Sequence, residues 1–118
     1  MNTEDYVSLE VAKLLKEKGY CWPCGSFYTL EGIIGFRSID DNFNRLTAYS
    51  RPALYEAQKW LREIHNIDVL PVIREESTIK DYCCNVYKNA KVVRCKVAYG
   101  EDFYECMNEG LVEALNLI

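Results

Sequence analysis

The chain has 118 residues, of which 49% are hydrophobic and 27% are charged, and its formal net charge is −4. These values are typical of one soluble globular domain and exclude a disordered chain, a repeat array and a fibre. Acidic and basic residues are interspersed, which leaves no basic stripe for a large nucleic-acid interface. The acidic start and the absence of a long apolar run predict a cytoplasmic protein without a membrane partner.

The first predicted element is a helix over residues 8–18, where apolar residues recur at the spacing of one helical face. Ser8 can cap its N-terminus. Gly19 can end it, because glycine readily adopts the left-handed conformation that follows many helices. Two short strands are expected next, at 27–30 and 33–36.

The polar segment 37–49 is predicted to be a loop, and it precedes the clearest helix of the chain, over residues 51–65. Ser50 can cap this helix, and Pro52 falls in its first turn, where the missing N–H costs little. The only histidine, His65, lies in the last turn, where the helix dipole favours a cation. A catalytic arrangement with an imidazole base would have to use this residue.

Three strands are predicted at 67–74, 82–88 and 91–99. Pro71 restricts the first strand to a sheet edge, or breaks it, because proline lacks the N–H that a ladder needs. The other two strands form a hairpin whose two-residue turn, Asn89-Ala90, determines the register. The facing pairs on one apolar face are then Val86 with Val93, Cys84 with Cys95, and Tyr82 with Val97.

The last predicted element is a helix over residues 103–117, which begins with a capping box at Asp102. One face of this helix is acidic at i,i+4 spacing and forms either a solvated surface or a docking surface for a basic partner. The candidate partner contacts are Glu105, Glu109, Glu113 and Tyr87. Further aromatic candidates for a contact patch are Tyr49, Tyr99 and Phe43.

These elements predict an α+β protein with the order α-β-β-α-β-β-β-α. We expect a single domain over residues 1–118, with three helices packed on a small antiparallel sheet of about four to five strands. The sequence contains no internal repeat, and no stretch is long or polar enough to be a linker between domains.

The turn Cys21-Trp22-Pro23-Cys24 contains the most suggestive of the six cysteines. A Cys-X-Pro-Cys motif can lower the pKa of one thiol and cycle between dithiol and disulfide. Thioredoxin-like proteins place it between a strand and the N-terminus of a helix, whereas here it follows a predicted helix and precedes a predicted strand. Thiol-redox chemistry is therefore an alternative function, and the preferred interpretation is a turn that packs on the core.

A structural zinc site is a second use of this turn, since zinc takes four ligands that often come as two close pairs. One pair would be Cys21 and Cys24, and the other would be Cys84 and Cys95 on facing strands. The preferred interpretation of these thiols is core packing, so we predict no metal and no cofactor.

Three stretches of the chain, at residues 6–19, 54–63 and 109–115, resemble a family of short uncharacterised proteins. Members of that family are encoded by gut anaerobic bacteria and by their phages and mobile elements. The resemblance implies a bacterial or phage cytosolic setting. It assigns no activity and no site residues, and the turn at Cys21 and Cys24 lies outside it.

We predict a non-enzymatic interaction module that binds another protein or a second copy of itself. The prediction depends on the absence of a catalytic constellation and on the surplus of aromatic residues, which include nine tyrosines. Double-stranded-RNA-binding domains share the helix, three strands and helix expected over residues 51–118. Their last helix begins with lysines, whereas this one begins with Glu101 and Asp102, so nucleic-acid binding is only a further alternative.

Overall fold

The computed structural model describes residues 6–74 and 81–118, and the side chains of residue 74 and of residues 95–99 lie outside that description. In this part of the chain there are three helices, which span Leu9–Glu17 (α1), Leu54–His65 (α2) and Phe103–Leu115 (α3). The same part contains six strands, which span Cys24–Thr29 (β1), Ile34–Asp41 (β2), Ala48–Ser50 (β3), Ile67–Arg74 (β4), Asp81–Lys88 (β5) and Lys91–Gly100 (β6).

The predicted α+β class is confirmed, and the described residues contain six strands where about four to five were expected. They form two antiparallel sheets of three strands each, with the orders β2-β1-β3 and β4-β5-β6, instead of one sheet. The chain divides into two units, Met1–Glu56 (unit 1) and Ala57–Ile118 (unit 2), with the boundary inside α2. The expectation of a single domain stays a prediction.

Helix α1 of unit 1 begins and ends as its sequence predicts. The Oγ atom of Ser8 accepts a hydrogen bond from the backbone N–H of Val11 at 3.3 Å and so satisfies one free donor of the first turn. Gly19, just past the end, has a φ of 93°, which a residue with a Cβ rarely adopts. The buried face of α1 consists of Val11, Ala12 and Leu15.

The predicted loop over residues 37–49 is wrong at both ends. β2 continues to Asp41, and β3 pairs with β1 at the ladder positions Tyr28↔Tyr49 and Phe27↔Ser50. The reason is that ladder hydrogen bonds and long-range contacts of the Asn44 side chain hold this segment, and neither leaves an apolar pattern in the sequence. The side chain of Asn44 accepts from Ser50 N at 2.8 Å and donates to Tyr20 O at 2.9 Å.

Helix α2 begins at Leu54, three residues later than expected, and Ser50 is not its cap. Long-range backbone bonds hold the preceding residues in an extended conformation. Arg51 N donates to Ser26 O at 2.9 Å, and Val7 N donates to Pro52 O at 3.1 Å. A carboxylate three residues into the first turn takes over the cap, since Glu56 Oε1 accepts from Ala53 N at 3.2 Å.

Unit 2 consists of the end of α2, the second sheet and α3, which packs against all three of its strands. β4 is an edge strand, so the prediction that Pro71 restricts it to an edge is confirmed. Asp102 caps α3 as predicted, with its Oδ1 accepting from Tyr104 N and Glu105 N. None of the helices in the described ranges has the length and apolarity that a membrane crossing requires.

The predicted hairpin register is correct only beside the turn. Asn89 and Ala90 have positive φ angles of 53° and 65°, and the adjacent residues pair as expected. Further along, irregularities shift the register, because β6 supplies ten residues where β5 supplies eight. The observed pairs are Val86 with Arg94, Cys84 with Val97, and Tyr82 with Gly100. The expected facing of Cys84 and Cys95 is therefore wrong.

Candidate functional site

A cavity of about 230 Å³ opens in unit 1 where β1 and β2 separate. The two strands pair at Cys24↔Asp41 and next at Ser26↔Phe36, so the single residue Gly25 stands opposite residues 37–40 of β2. Irregular pairing of this kind bends a strand, and it is common beside functional sites. The residues that line the cavity are Tyr6, Cys24, Gly25, Ser26, Phe36, Asp40, Arg51 and Glu56.

Arg51 is the central charged group of this cavity, although the side chain is only 1% exposed. Its Nη1 donates to the hydroxyl of Ser26 at 3.0 Å, whereas its Nε has no acceptor among the described residues. In that part of the chain no carboxylate forms an ion pair with it. A buried charge without a counter-ion costs several kcal/mol, on the order of the penalty for desolvating one ion.

Aromatic rings compensate part of the burial of this guanidinium. Its central carbon lies 4.1 Å from the ring centroid of Tyr6, 5.5 Å from that of Tyr28 and 5.8 Å from that of Phe36. Each such contact contributes about 0.5–2 kcal/mol, which stabilises the cation but gives its Nε no hydrogen-bond acceptor among the described residues. The arrangement holds a positive charge in place and leaves its Nε free to donate to a ligand.

Two carboxylates also line the cavity. Asp40 is exposed on β2, and Glu56 is half-buried and held by its bond to Ala53 N. A Cβ atom at position 25 would lie 3.1 Å from Asp40 Oδ1, so the glycine there provides the room that this carboxylate occupies. The cavity therefore presents donors at its buried end and acceptors on other parts of its wall.

The segment that contains Cys21 and Cys24 follows α1 as predicted, and Cys24 is the first residue of β1. Cys21 is exposed, whereas Cys24 is buried and donates its thiol hydrogen to Ser26 O at 3.2 Å. Burial raises the pKa of the Cys24 thiol and so disfavours the thiolate that redox chemistry needs. This geometry gives the thiol-redox alternative no support.

The second cysteine pair of the zinc alternative is not formed by facing strand residues. Cys84 packs in unit 2, with its Sγ 3.5 Å from Cys106 Sγ and 3.9 Å from Met107 Sδ, and Cys95 has a side chain outside the described part. Burial raises the pKa values of Cys84 and Cys106. Among the described residues no three His, Cys, Asp or Glu side chains are arranged to hold a metal ion.

The predicted contact residues of unit 2 are accessible to different degrees. Glu105, Glu109 and Glu113 are exposed on α3, and Glu113 lies 3.8 Å from Arg94. Tyr87 is half-buried on β5. Their role in binding stays a prediction. Phe43, expected at the surface of unit 1, is instead buried against Phe27 with ring centroids 4.8 Å apart, because the short 3₁₀ turn Phe43–Arg45 directs it into the core.

His65 lies in the last turn of α2, as predicted. Its ring meets that of Trp60 edge-on, with 4.9 Å between the centroids, and this contact packs the imidazole against an apolar side chain of unit 2. Among the described residues, nothing accepts from or donates to its Nε2.

Unit 1 exposes a group of apolar residues around β2 that the sequence pattern did not indicate. We call them the β2 surface: Leu30, Ile33, Ile34, Phe36 and Ile39. Apolar residues in a predicted strand normally indicate burial, yet Phe36 is 68% and Ile39 is 79% exposed. Arg51 was missed for another reason, since a basic residue beside a predicted helix start carries no signal of burial.

Comparison with known proteins identifies no relative of this chain. No family model, no curated protein and no solved structure matches it. The resemblance to short proteins of gut bacteria and their phages stays a prediction. The evidence for a function is therefore the geometry of the chain itself.

Proposed function

We propose that this chain is a non-enzymatic binding module that recognises an extended segment of a partner protein through the β2 surface. The observation that carries the proposal is an eight-residue edge strand with exposed apolar side chains. An edge strand presents backbone donors and acceptors to which another strand can add, and alternate side chains then supply specificity.

Exposed apolar residues are clustered in this part of the chain, and this clustering supports the choice of the β2 surface. Five large hydrophobic residues are exposed within the ten positions 30–39. A patch of this kind costs solubility unless something covers it, which is why such patches often mark interaction sites. Among the described residues β2 pairs with β1 alone, which leaves its other edge for a partner strand.

Charge indicates the chemistry of the partner. The segment 30–41 contains Glu31, Asp40 and Asp41 but only one basic residue, Arg37. Asp41 is already paired with Arg45 at 2.9 Å, whereas Glu31 and Asp40 have no ion pair among the described residues. We therefore commit to a partner segment that alternates apolar and basic residues, since a second copy of the chain would bring the same acidic groups.

This proposal can be tested by selecting peptides that bind the chain from a random library displayed on phage. We expect enriched peptides with β-branched or aromatic residues at alternate positions and with lysine or arginine between them. Phe36→Asp and Ile39→Asp are expected to abolish their binding. Leu46→Asp, a matched change at another exposed residue of unit 1, is expected to leave it intact.

Backbone-methylated versions of a selected peptide separate strand addition from simple apolar contact. Methylating the amides that face β2 removes donors without removing side chains, so binding is expected to be lost. Three results would contradict the proposal: methylated peptides that bind normally, selected peptides that ignore Phe36 and Ile39, or a dimer of the chain that needs Ile39. The exposed carboxylates at the start of α3 support the exclusion of nucleic acid as the partner.

A further inference from the structure

We infer that the cavity around Arg51 binds a small zwitterion of the free amino-acid class, with the ligand's carboxylate on Arg51 and its ammonium group between Asp40 and Glu56. The cavity shares Phe36 with the β2 surface, but the charges of Arg51, Asp40 and Glu56 support this inference, and it does not depend on strand addition at that surface.

One edge of the guanidinium includes a buried N–H group without an acceptor among the described residues. Nη1 is occupied by Ser26, and no described residue accepts a hydrogen bond from Nε. Nε and Nη2 share one edge of the planar guanidinium, and two parallel N–H groups along that edge match the two oxygens of a carboxylate. Because Arg51 is 1% exposed and its rings hold it in place, this edge is positioned before any ligand arrives.

The missing counter-ion of Arg51 gives a ligand a reason to bind in this cavity. In the part of the chain that the structure describes, Arg51 has no ion pair, and its burial removes most of its contact with water. A bound carboxylate would supply the missing acceptor in a place where charge-assisted hydrogen bonds are strong. Ligand binding would then recover part of the free energy that burying the guanidinium costs.

The two acidic residues select against a simple anion. A phosphate, with more negative charge than a carboxylate, would meet the charges of Asp40 and Glu56 in the same cavity. A ligand with its own ammonium group turns both of these carboxylates into acceptors. A zwitterion therefore complements all three charged residues of the cavity, whereas an anion complements only Arg51.

Size limits the ligand further. About 230 Å³ lies below the range of about 300–1,000 Å³ that holds drug-sized molecules, so the ligand is small. The walls also include the rings of Tyr6 and Phe36, which favour an amino acid with an apolar side chain.

The first experiment measures thermal unfolding and calorimetric binding of the full chain with each free amino acid at millimolar concentration. At least one apolar amino acid is expected to raise the melting temperature and to bind. Its amide, which lacks the carboxylate, and its N-acetyl form, which lacks the ammonium group, are expected to bind about tenfold more weakly. Inorganic phosphate and dipeptides serve as further probes.

Variants assign the two charges to their residues. Asp40→Asn, at an exposed position, is expected to weaken binding of the free amino acid about tenfold. Binding of the N-acetyl form should be unchanged or tighter, because this form has no ammonium group to pair with Asp40. Asp41→Asn is the matched control outside the cavity and is expected to change neither. Arg51→Lys keeps the charge but loses the planar fork, so all carboxylate ligands are expected to bind more weakly. Because Arg51 is buried, the Asp40 variant keeps the test decisive if Arg51→Lys does not fold.

Four results would overturn the inference. One is that no amino acid raises the melting temperature. Another is that the amide or N-acetyl form binds as well as the free amino acid. A third is that phosphate binds more tightly than every amino acid, which would make the cavity a site for simple anions. The fourth is tighter binding of dipeptides, which would assign the cavity to a peptide terminus.

Discussion

The two units of this chain differ in how regularly their sheets pair and in what they bury. In unit 2, β4 and β5 pair at eight consecutive positions, whereas in unit 1, β1 and β2 pair at four positions with an interruption. Unit 1 also buries the polar residues Ser26, Ser50 and Arg51, while the only buried polar residue in the described part of unit 2 is Asn108. Natural binding sites commonly reduce stability in this way, and both of the sites that we propose lie in unit 1.

The largest difference in stability is expected between substitutions of a buried apolar residue in unit 2 and of an exposed one in unit 1. Leu111→Ala removes a fully buried side chain of α3 and is expected to lower the free energy of unfolding by about 2–5 kcal/mol. Ile39→Ala, on the β2 surface, is expected to change it by less than about 0.5 kcal/mol. Urea unfolding followed by circular dichroism measures both. Equal losses would show that Ile39 belongs to a core.

The close approach of α3 to its sheet provides the next test. A Cβ atom at Gly110 would lie 2.8 Å from Cys84 Sγ and 3.1 Å from Val69 Cγ1. Gly110→Ala is expected to cost about 1–3 kcal/mol of overpacking, more than the gain of about 1 kcal/mol from better helix propensity. Cys84→Ala removes the nearest atom. In that background Gly110→Ala should therefore lower the stability by less than it does in the original chain. Calorimetric melting of the four proteins measures this, and a stabilised Gly110→Ala would contradict the packing argument.

A stabilising change in unit 1 tests whether Arg51 is retained for binding. The double variant Arg51→Met with Ser26→Ala replaces a buried charge and its hydrogen-bond partner with apolar groups of similar shape. We expect the free energy of unfolding to rise by about 1 kcal/mol, because the desolvation penalty disappears. The same variant should bind no amino acid. A clear loss of stability in chemical denaturation would instead make Arg51 a structural residue.

The smallest effect concerns the buried thiols of unit 2. Burial raises the pKa values of Cys84 and Cys106 in the folded chain, while an unfolded thiol ionises at about pH 8.5. Their contribution to stability is therefore intact below pH 8.5 and decreases as the pH rises toward the folded value. Unfolding curves at increasing pH should show this decline, and the decline should be shallower in Cys84→Ala. A stability that rises with pH in this window would contradict the assignment.

Local signals predicted the ends of α1 and α3 and the turn at Asn89-Ala90 well. Ser8 and Asp102 cap their helices because their side chains satisfy backbone donors within a few residues, and this needs no distant partner. The turn at Asn89-Ala90 is correct for the same reason. The position of Pro71 on an edge strand followed from its missing N–H.

Long-range pairing explains where the prediction fails. Arg51 and Pro52 have a favourable context for a helix start, yet their backbone groups bond to Ser26 and Val7, so the helix begins later. The register of β5 and β6 shifts because irregularities within the ladder insert residues, which a turn cannot specify. The pairing of Cys84 with Cys95 therefore could not be predicted from spacing alone.

The α+β class and the ends of α1 and α3 follow from the amino-acid sequence alone, because capping, periodicity and turn preferences act over a few residues. Three features emerge only in the folded chain: the division into two sheets, the separation of β1 from β2 and the burial of Arg51 beside three aromatic rings. These features depend on which distant backbone and side-chain groups meet. That choice is made by the free energy of the whole fold and not by any short segment.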